Sequence, residues 1–362
     1  MTDPSDSSSA PSRPCGQSFT HPTAPPLFEA RIRTRPEDFI VEELSAADPD
    51  GRGEHVWVLL EKTGCNTEHA ARCLARAANV SRSAVGYAGL KDRHAVTTQW
   101  FSVQLPGKDA PDWSAQLGPE FRVLRSVRHS RKLKTGYLLG NRFRLTLREC
   151  RGDRAGLEQR LEQIRSHGVP NYFGPQRFGR EGANLDKARA MFEGKMRVRD
   201  RKLAGLYLSA ARSELFNRVL ARRVEQGNWC RALPGDVMIL DGSRSHFLAE
   251  AVDAALEERL RIGDVHPSGP LWGKGALATR GEVAALEQAV AEAEPVFAQG
   301  LARAGLKQER RALRMRVNGL SHQWLDEETL VLAFELPPGG YATMVLAEIA
   351  AVEDAGTGAM EE

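Results

Sequence analysis

The sequence predicts an α+β protein with a mixed or antiparallel sheet, interrupted by a helix-rich insertion. Three observations predict it. Short apolar segments with a period of two crowd the first half, helical periodicity takes over in the middle, and strand-like segments return near the C-terminus. Two β-rich ends around a helical centre suggest one domain inserted within another, and 362 residues suffice for both.

Thr2–Thr23 is rich in Ser, Pro and small polar residues, so residues 1–27 read as a disordered leader. F-E-A-R-I-R-T-R-P-E-D-F-I-V-E-E, from Phe28 to Glu43, predicts a strand, a turn at Pro36–Asp38 and a second strand from Phe39. Val56–Leu60 predicts a strand and Lys62–Gly64 a turn. Asn66 or Thr67 caps a helix to about Ala78, with Glu68 in its first turn. Strands follow at Val85–Ala88, Gln99–Leu105, Phe121–Leu124 and Phe143–Leu147, then a helix from Asp153 to about Arg165 that ends at Gly168.

The middle predicts helices over Asn184–Phe192, Leu203–Gln226, Ala249–Gly263 and Glu282–Gln299. Leu233–Leu240 and His266–Gly273 read as irregular or short strands, and no internal repeat is visible. Sheet character returns at Arg311–Val317 and Thr329–Leu336, followed by a turn and a short helix. The expected division is 28–166 and 313–352 for the outer domain, 167–312 for the insertion and 353–362 for a flexible tail.

Composition excludes several classes. No apolar run approaches the length that spans a bilayer, and the N-terminus lacks a secretory signal. The five cysteines are odd in number and scattered, which fits a reducing cytoplasm and neither a disulfide scaffold nor a zinc ribbon. There is no phosphate loop, dinucleotide loop, nucleophile elbow or H-E-x-x-H, and no visible ligand set for a metal or redox cofactor. The formal net charge of +3 is too small to establish a polyanionic partner. Local clustering says more: Arg122, Arg125, Arg128, Arg131, Lys132 and Lys134 fall within thirteen residues without an acid. Such a group can neutralise phosphates or form a solvated strand surface.

Val85–Leu105 concentrates the chemistry. Gly86 and Gly89 permit tight turns, and Asp92 stands between Lys91 and Arg93, cations that favour an ionised carboxylate. The same residues fit a surface turn held by an Asp–Arg pair. N-Y-F-G-P-Q-R-F-G, from Asn171 to Gly179, fits either a buried aromatic turn or a nucleic-acid contact through Gln176 and Arg177. An enzyme acting on an RNA base would use an extruded base, an aromatic to stack on and a carboxylate nucleophile. A noncatalytic RNA-binding or RNA-folding protein would use the cations and aromatics without needing Asp92.

G-Y-A-G-L-K-D-R-H-A-V-T-T-Q-W, at Gly86–Trp100, resembles the catalytic signature of the TruD family of tRNA pseudouridine synthases. Three further motifs resemble that family in the right order: R-P-E-D-F-I-V-E-E at Arg35–Glu43, G-V-P-N-Y-F-G-P-Q-R-F-G at Gly168–Gly179, and F-E-L-P-P-G-G-Y-A-T at Phe334–Thr343. The resemblance spans Phe28–Glu348 and implies the pseudouridine synthase catalytic fold with an inserted helix-rich α+β TRUD domain.

It implies isomerisation of uridine 13 in the D arm of tRNA, without metal or organic cofactor, by a cytoplasmic monomer that binds neither DNA nor membrane. Asp92 becomes the catalytic aspartate, attacking C1′ or removing the C2′ proton. Phe143 is expected to stack on the uracil, Asn141 to position it, and Arg33 to lie near Asp92. Tyr87 and Gln176 are expected to help build the pocket, with Lys91, Arg93 or another nearby cation supplying charge beside Asp92. Arg177 and the Arg122–Lys134 cluster are the expected phosphate contacts, with the insertion as a second wall of an RNA cleft. A noncatalytic tRNA-binding or RNA-folding protein on the same scaffold is the alternative. The chain departs from the family pattern at Gly340, where serine is common, and at Ala347, where arginine is common. Arg311, Arg314 and Arg316 are the candidates for a compensating charge.

Overall fold

A computed structural model describes residues 22–357; most of the leader expected at 1–27 and the last residues of the expected tail lie outside them. The chain divides into two compact units, one formed by Ala24–Val169 together with the segment from Met315 onward, the other by Pro170–Arg314. These crossing points lie two or three residues from the boundaries expected at 166/167 and 312/313.

The first unit runs β1 (Phe28–Ile32), a 3-10 turn (Pro36–Asp38), β2 (Phe39–Ser45), β3 (His55–Thr63), α1 (Thr67–Ala77), β4 (Val85–Tyr87) and β5 (Val96–Gln104). It continues through α2 (Trp113–Gln116), β6 (Phe121–His129), β7 (Leu138–Gly152) and α3 (Leu157–His167). After the second unit come strands Asn318–Trp324 and Leu330–Leu336, helix Ala342–Ala347 and strand Ala350–Asp354. These build one ten-stranded sheet, ordered Asn318–Trp324, Leu330–Leu336, β7, β2, β5, β3, β6. β4 pairs with β5, while β1 joins β7 to Ala350–Asp354. Two pairings, β2 with β5 and β1 with Ala350–Asp354, are parallel, so the α+β class with a mixed sheet is the one the sequence predicts.

One sheet face explains where a site can form. β3 and β5 pair Val56 with Val103, Val58 with Phe101, Leu60 with Gln99 and Lys62 with Thr97. Directly paired residues share a face, so this face is apolar at one end and polar at the other. The apolar end packs with Ala70, Ala71 and Leu74 of α1 into one core. α1 itself starts where Asn66 accepts the His69 N–H at 2.8 Å, satisfying one of the first-turn donors. The polar end continues through β2 and β7, where Val41 meets Phe143 and Glu43 meets Asn141.

The turn between β1 and β2 is pinned by its own acid. Arg148 of β7 forks onto Asp38 at 2.6 and 2.9 Å, and the Thr34 hydroxyl and the Arg35 N–H also bind it. Burial pushes this carboxyl up, but the Arg148 and Thr34 hydrogen bonds outweigh that and leave it below its ordinary value.

The second unit holds helices Ala183–Phe192, Arg201–Glu225, Ala254–Ile262, Gly281–Ala293 and Pro295–Arg303. They accompany a four-stranded sheet ordered His246–Leu248, Val237–Leu240, Val265–Leu271, Glu309–Ala312. The long helix is tied to the sheet by a buried Arg223–Asp236 pair at 2.8 Å, in which Arg223 also donates to Asn228 and to the Arg231 carbonyl. The single helix expected over Glu282–Gln299 is two, because Pro295 lacks the N–H that would continue it. The helix expected from Ala249 starts at Ala254, where Asp253 caps the Leu256 N–H. Strand Asn318–Trp324 was not expected; it is an edge strand with only Leu320 fully buried, so its alternation is faint.

Candidate active site

The loop between β4 and β5 is anchored from beneath by polar groups on the sheet. Gln99 donates to the Gly89 carbonyl at 3.0 Å and accepts from Thr67, whose oxygen accepts the Lys91 N–H at 2.9 Å. The Lys91 side chain, 4% exposed, points inward and meets Glu43, 2% exposed, at 3.0 Å. Glu43 also accepts the Trp100 N–H at 3.3 Å. With Lys91 drawn in, the next side chain is turned outward: Asp92 is 40% exposed.

The cation on Asp92 is Arg33. Its Nη2 lies 3.0 Å from Asp92 Oδ2, and its Nη1 binds Asp354. The guanidinium is 7% exposed and sits 3.9 Å above the centre of the Phe39 ring. Of the cations expected beside Asp92 it is Arg33 that reaches it, because Lys91 is committed to Glu43 and Arg93 leans toward the Gly64 carbonyl at 3.4 Å. Arg33 reaches its place through a left-handed backbone, φ 55°, which costs a non-glycine residue about 1–3 kcal/mol. Such strain persists only where surrounding contacts over-determine it.

From Arg33 the contacts run to Phe143 through aromatic rings. Phe39 meets Phe143 edge-on at 6.3 Å, and Phe143 stacks on Phe334 at 5.5 Å and 26°. Phe143 is buried within this trio. Two residues earlier on the same face of β7, Asn141 holds a buried Oδ1 without a hydrogen-bond partner. Thr97, one sheet row away, has an equally unpartnered buried hydroxyl. Buried polar atoms are rarely left unsatisfied, so this face is suited to a polar ligand or to water.

Lys62 is a second cation under the loop. It is fully buried and donates to the Cys65 carbonyl at 2.5 Å and to the Asp92 carbonyl at 3.0 Å. Burial pushes its ammonium down to about 8; Cys65 and Asp92 resist this and Lys91 adds to it. A neutral amine still has the two donors these carbonyls require. Between about 8 and 10.5 the unfolded chain carries the extra proton, so stability should rise with pH across that window, by roughly 1 kcal/mol per unit. The stability difference between the wild type and Lys62→Met, from urea midpoints at the two ends of the window, should move in favour of the wild type as pH rises.

The remaining expected residues are dispersed. Tyr87 donates to Glu68 at 3.2 Å and packs edge-on against Phe101, which places it, half-buried, against the core that α1 covers. Gln176 and Arg177 belong to the second unit; Gln176 is exposed, and Arg177 donates to Ser209 at 3.1 Å. The basic cluster lies along edge strand β6 and the loop after it. There Arg122 pairs with Glu61, while Arg128 and Lys132 bind backbone carbonyls of Leu105 and Ser83. Arg125, Arg131 and Lys134 are exposed.

The two departures have local explanations. A Cβ on Gly340 would fall 2.6 Å from the Met315 sulfur, so serine needs that side chain to move. Near Ala347, Arg160 of α3 binds the Glu348 carbonyl. Arg311 and Arg314, offered as compensating charges, are engaged within the second unit by Asn171 and His266.

Sequence reasoning missed Lys62, Glu43 and Asp354 as parts of this arrangement. The first two carried a signal: each is charged yet in phase with buried neighbours of its strand, Leu60 and Val41. Among the described residues no group of three or more His, Cys, Asp or Glu stands together as a metal site, and no helix is long and apolar enough to cross a membrane.

An outward carboxylate held by a buried arginine, on a mixed sheet that also carries aromatic rings and an unpartnered amide oxygen and hydroxyl, fits the class of RNA-base-modifying enzymes that the sequence motifs resemble. The family model for tRNA pseudouridine synthase D (TruD) matches residues 20–186 and 183–349. The chain is 51% identical over 346 residues to the tRNA pseudouridine synthase D of Xanthomonas axonopodis pv. citri, covering 91% of this chain and 94% of that one. It is 52% identical over 334 residues to the protein of that name from Nitrosococcus oceani, covering 91% and 93%. A crystal structure of a TruD from Methanosarcina mazei shares the fold, with TM-score 0.73, 24% identity and coverage of 93% and 96%. The chain belongs to the TruD family of tRNA pseudouridine synthases, isomerases that act on uridine in tRNA.

Proposed function

We propose that this protein isomerises uridine 13 in the D arm of tRNA to pseudouridine, with Asp92 as the catalytic carboxylate. The observation that carries this reading is the state of Asp92: outward-facing, hydrogen-bonded through Oδ2 to a buried arginine, on a loop whose other anchors point inward. Asp92 supplies the electron pair that opens the nucleoside, by attack on C1′ or by removal of the C2′ proton. The N1–C1′ bond breaks and the uracil turns in place. C5 then joins C1′ as the Asp92–C1′ bond breaks or, on the second route, as C2′ takes its proton back, and the C5 proton is lost while N1 gains one. Phe143 offers an aromatic edge to the flipped base, and the Asn141 amide holds a polar edge of the uracil while it turns. No metal or organic cofactor takes part.

The protein acts as a cytoplasmic monomer on tRNA, and on neither DNA nor membrane. The unpaired thiols of Cys65, Cys73, Cys150 and Cys230 suit a reducing compartment. Phosphates of the tRNA are met by Arg125, Arg131 and Lys134 of the first unit; Arg177 is a separate phosphate contact offered by the second. Changing Arg125, Arg131 and Lys134 together to alanine should reduce the slope of log K against log salt by roughly 2–3. An unchanged slope in titrations of tRNA binding would remove them from the interface.

The deciding experiment is tritium release from tRNA labelled at uracil C5, followed by mapping of the product. Release with a single product at position 13 is expected. Tight binding without release would favour the noncatalytic alternative, and a product elsewhere would overturn the position.

A further inference from the structure

We propose that Asp354, near the end of the chain, is a positioning residue for the isomerisation, acting on Asp92 through Arg33. The inference rests on the reading of Asp92 as the catalytic carboxylate. Strand Ala350–Asp354 lies parallel to β1 in a register that sets Asp354 opposite Ile32, the residue before Arg33. The acid is therefore delivered by sheet pairing.

A guanidinium fork matches a carboxylate and closes on it with two parallel bonds when nothing competes. Here the fork is split. Nη1 holds Asp354 and Nη2 holds Asp92, with the guanidinium face against Phe39. Asp354, 25% exposed, is itself fixed by the Gly356 N–H, which donates to its Oδ1 at 3.1 Å. The backbone at Gly356 is pressed onto the same group: a Cβ there would lie 3.2 Å from Arg33 Cδ and 3.2 Å from His94 Cβ. Residues 354–356 thus seat against both the arginine and the loop bearing Asp92.

The consequence for chemistry follows from the split. Asp354 takes half of the fork, so Asp92 receives one bond, at Oδ2, and keeps Oδ1 for the substrate. Without the Asp354 charge, Arg33 can swing to grip both oxygens of Asp92, orienting the loop wrongly and quenching the nucleophile. Misplacements of this kind cost turnover and leave substrate affinity alone.

The test uses the full chain and tRNA, with kcat, KM and melting temperature measured for Asp354→Asn, Asp354→Glu, Gly356→Ala and Asp92→Asn. Asp354→Asn should lower kcat about ten- to a hundredfold with KM within about twofold. Asp354→Glu should recover most of that loss, and Gly356→Ala should lower kcat in the same selective way. Unchanged kcat in folded Asp354→Asn overturns the proposal, as does a loss that Asp354→Glu shares and that follows melting temperature alone. If Asp354→Asn does not fold, Gly356→Ala decides, and a wild-type kcat there overturns it. Full turnover by Asp92→Asn would instead sink the reading of Asp92; an inactive Asp92→Asn beside a fully active Asp354→Asn sinks the relay alone.

Discussion

Asp92→Asn should abolish tritium release while leaving tRNA binding and folding intact. The amide keeps the size of the side chain and still accepts from Arg33, but it has no anionic electron pair to open the nucleoside. Removing a sole nucleophile or its charge generally costs on the order of 10⁴-fold or more in turnover. The fold has little reason to fail, because Asp92 is 40% exposed and the loop is anchored by Gln99, Thr67 and Lys91 instead. Single-turnover assays at saturating enzyme separate the two effects: normal binding with no product is expected. Residual turnover above about a tenth of wild type would move the catalytic role elsewhere.

That experiment probes the part of the site most legible in the sequence. Asp92 stood out through its cation-flanked loop, and the motif match gave that loop a chemical meaning. The strands around it were legible in part. Each of β1 to β7 overlaps an expected strand, but β6 and β7 run to nine and fifteen residues, well beyond Phe121–Leu124 and Phe143–Leu147, and β3 continues through Lys62 and Thr63 where a turn was expected. Long-range pairings were not legible in local pattern. Arg33 was expected near Asp92 only through the family resemblance; the two lie 59 residues apart, and their direct contact depends on a left-handed backbone that an arginine does not advertise. Asp354 and Arg33 lie 321 residues apart and are joined by a parallel register that no local pattern encodes. The strand holding Asp354 begins at Ala350 and passes through 353, where a flexible tail was expected, because sheet pairing with β1 orders it.

Two other misses have a different origin. Pro295 was present to be read, and the helical periodicity on either side concealed the break it makes. The inward charges at Glu43 and Lys62 were visible as violations of strand alternation. Such violations mark places where a fold accepts a local conflict for a function, and both residues lie directly under the Asp92 loop.

Glu43→Gln should be the most destabilising single change around the site. Glu43 and Lys91 form an ion pair at 3.0 Å with side chains only 2% and 4% exposed. Taking two charges from water is costly, and their attraction compensates only while both are present. Glutamine leaves the Lys91 ammonium buried without a counter-charge, so a loss of about 3–5 kcal/mol is expected, read as a lowered urea midpoint with unchanged m-value. Lys91→Met should cost a similar amount by stranding Glu43. The double change should cost less than the sum of the two, because no lone charge remains, and this non-additivity isolates the pair from general damage to the loop. Activity should follow a different course. With Lys91 replaced by methionine, the inward anchor beside Asp92 is gone even where stability is regained, so the double variant should refold well and still turn over slowly. Equal recovery of stability and kcat would mean that the pair serves the fold alone, and that Gln99 and Thr67 suffice to hold Asp92 outward.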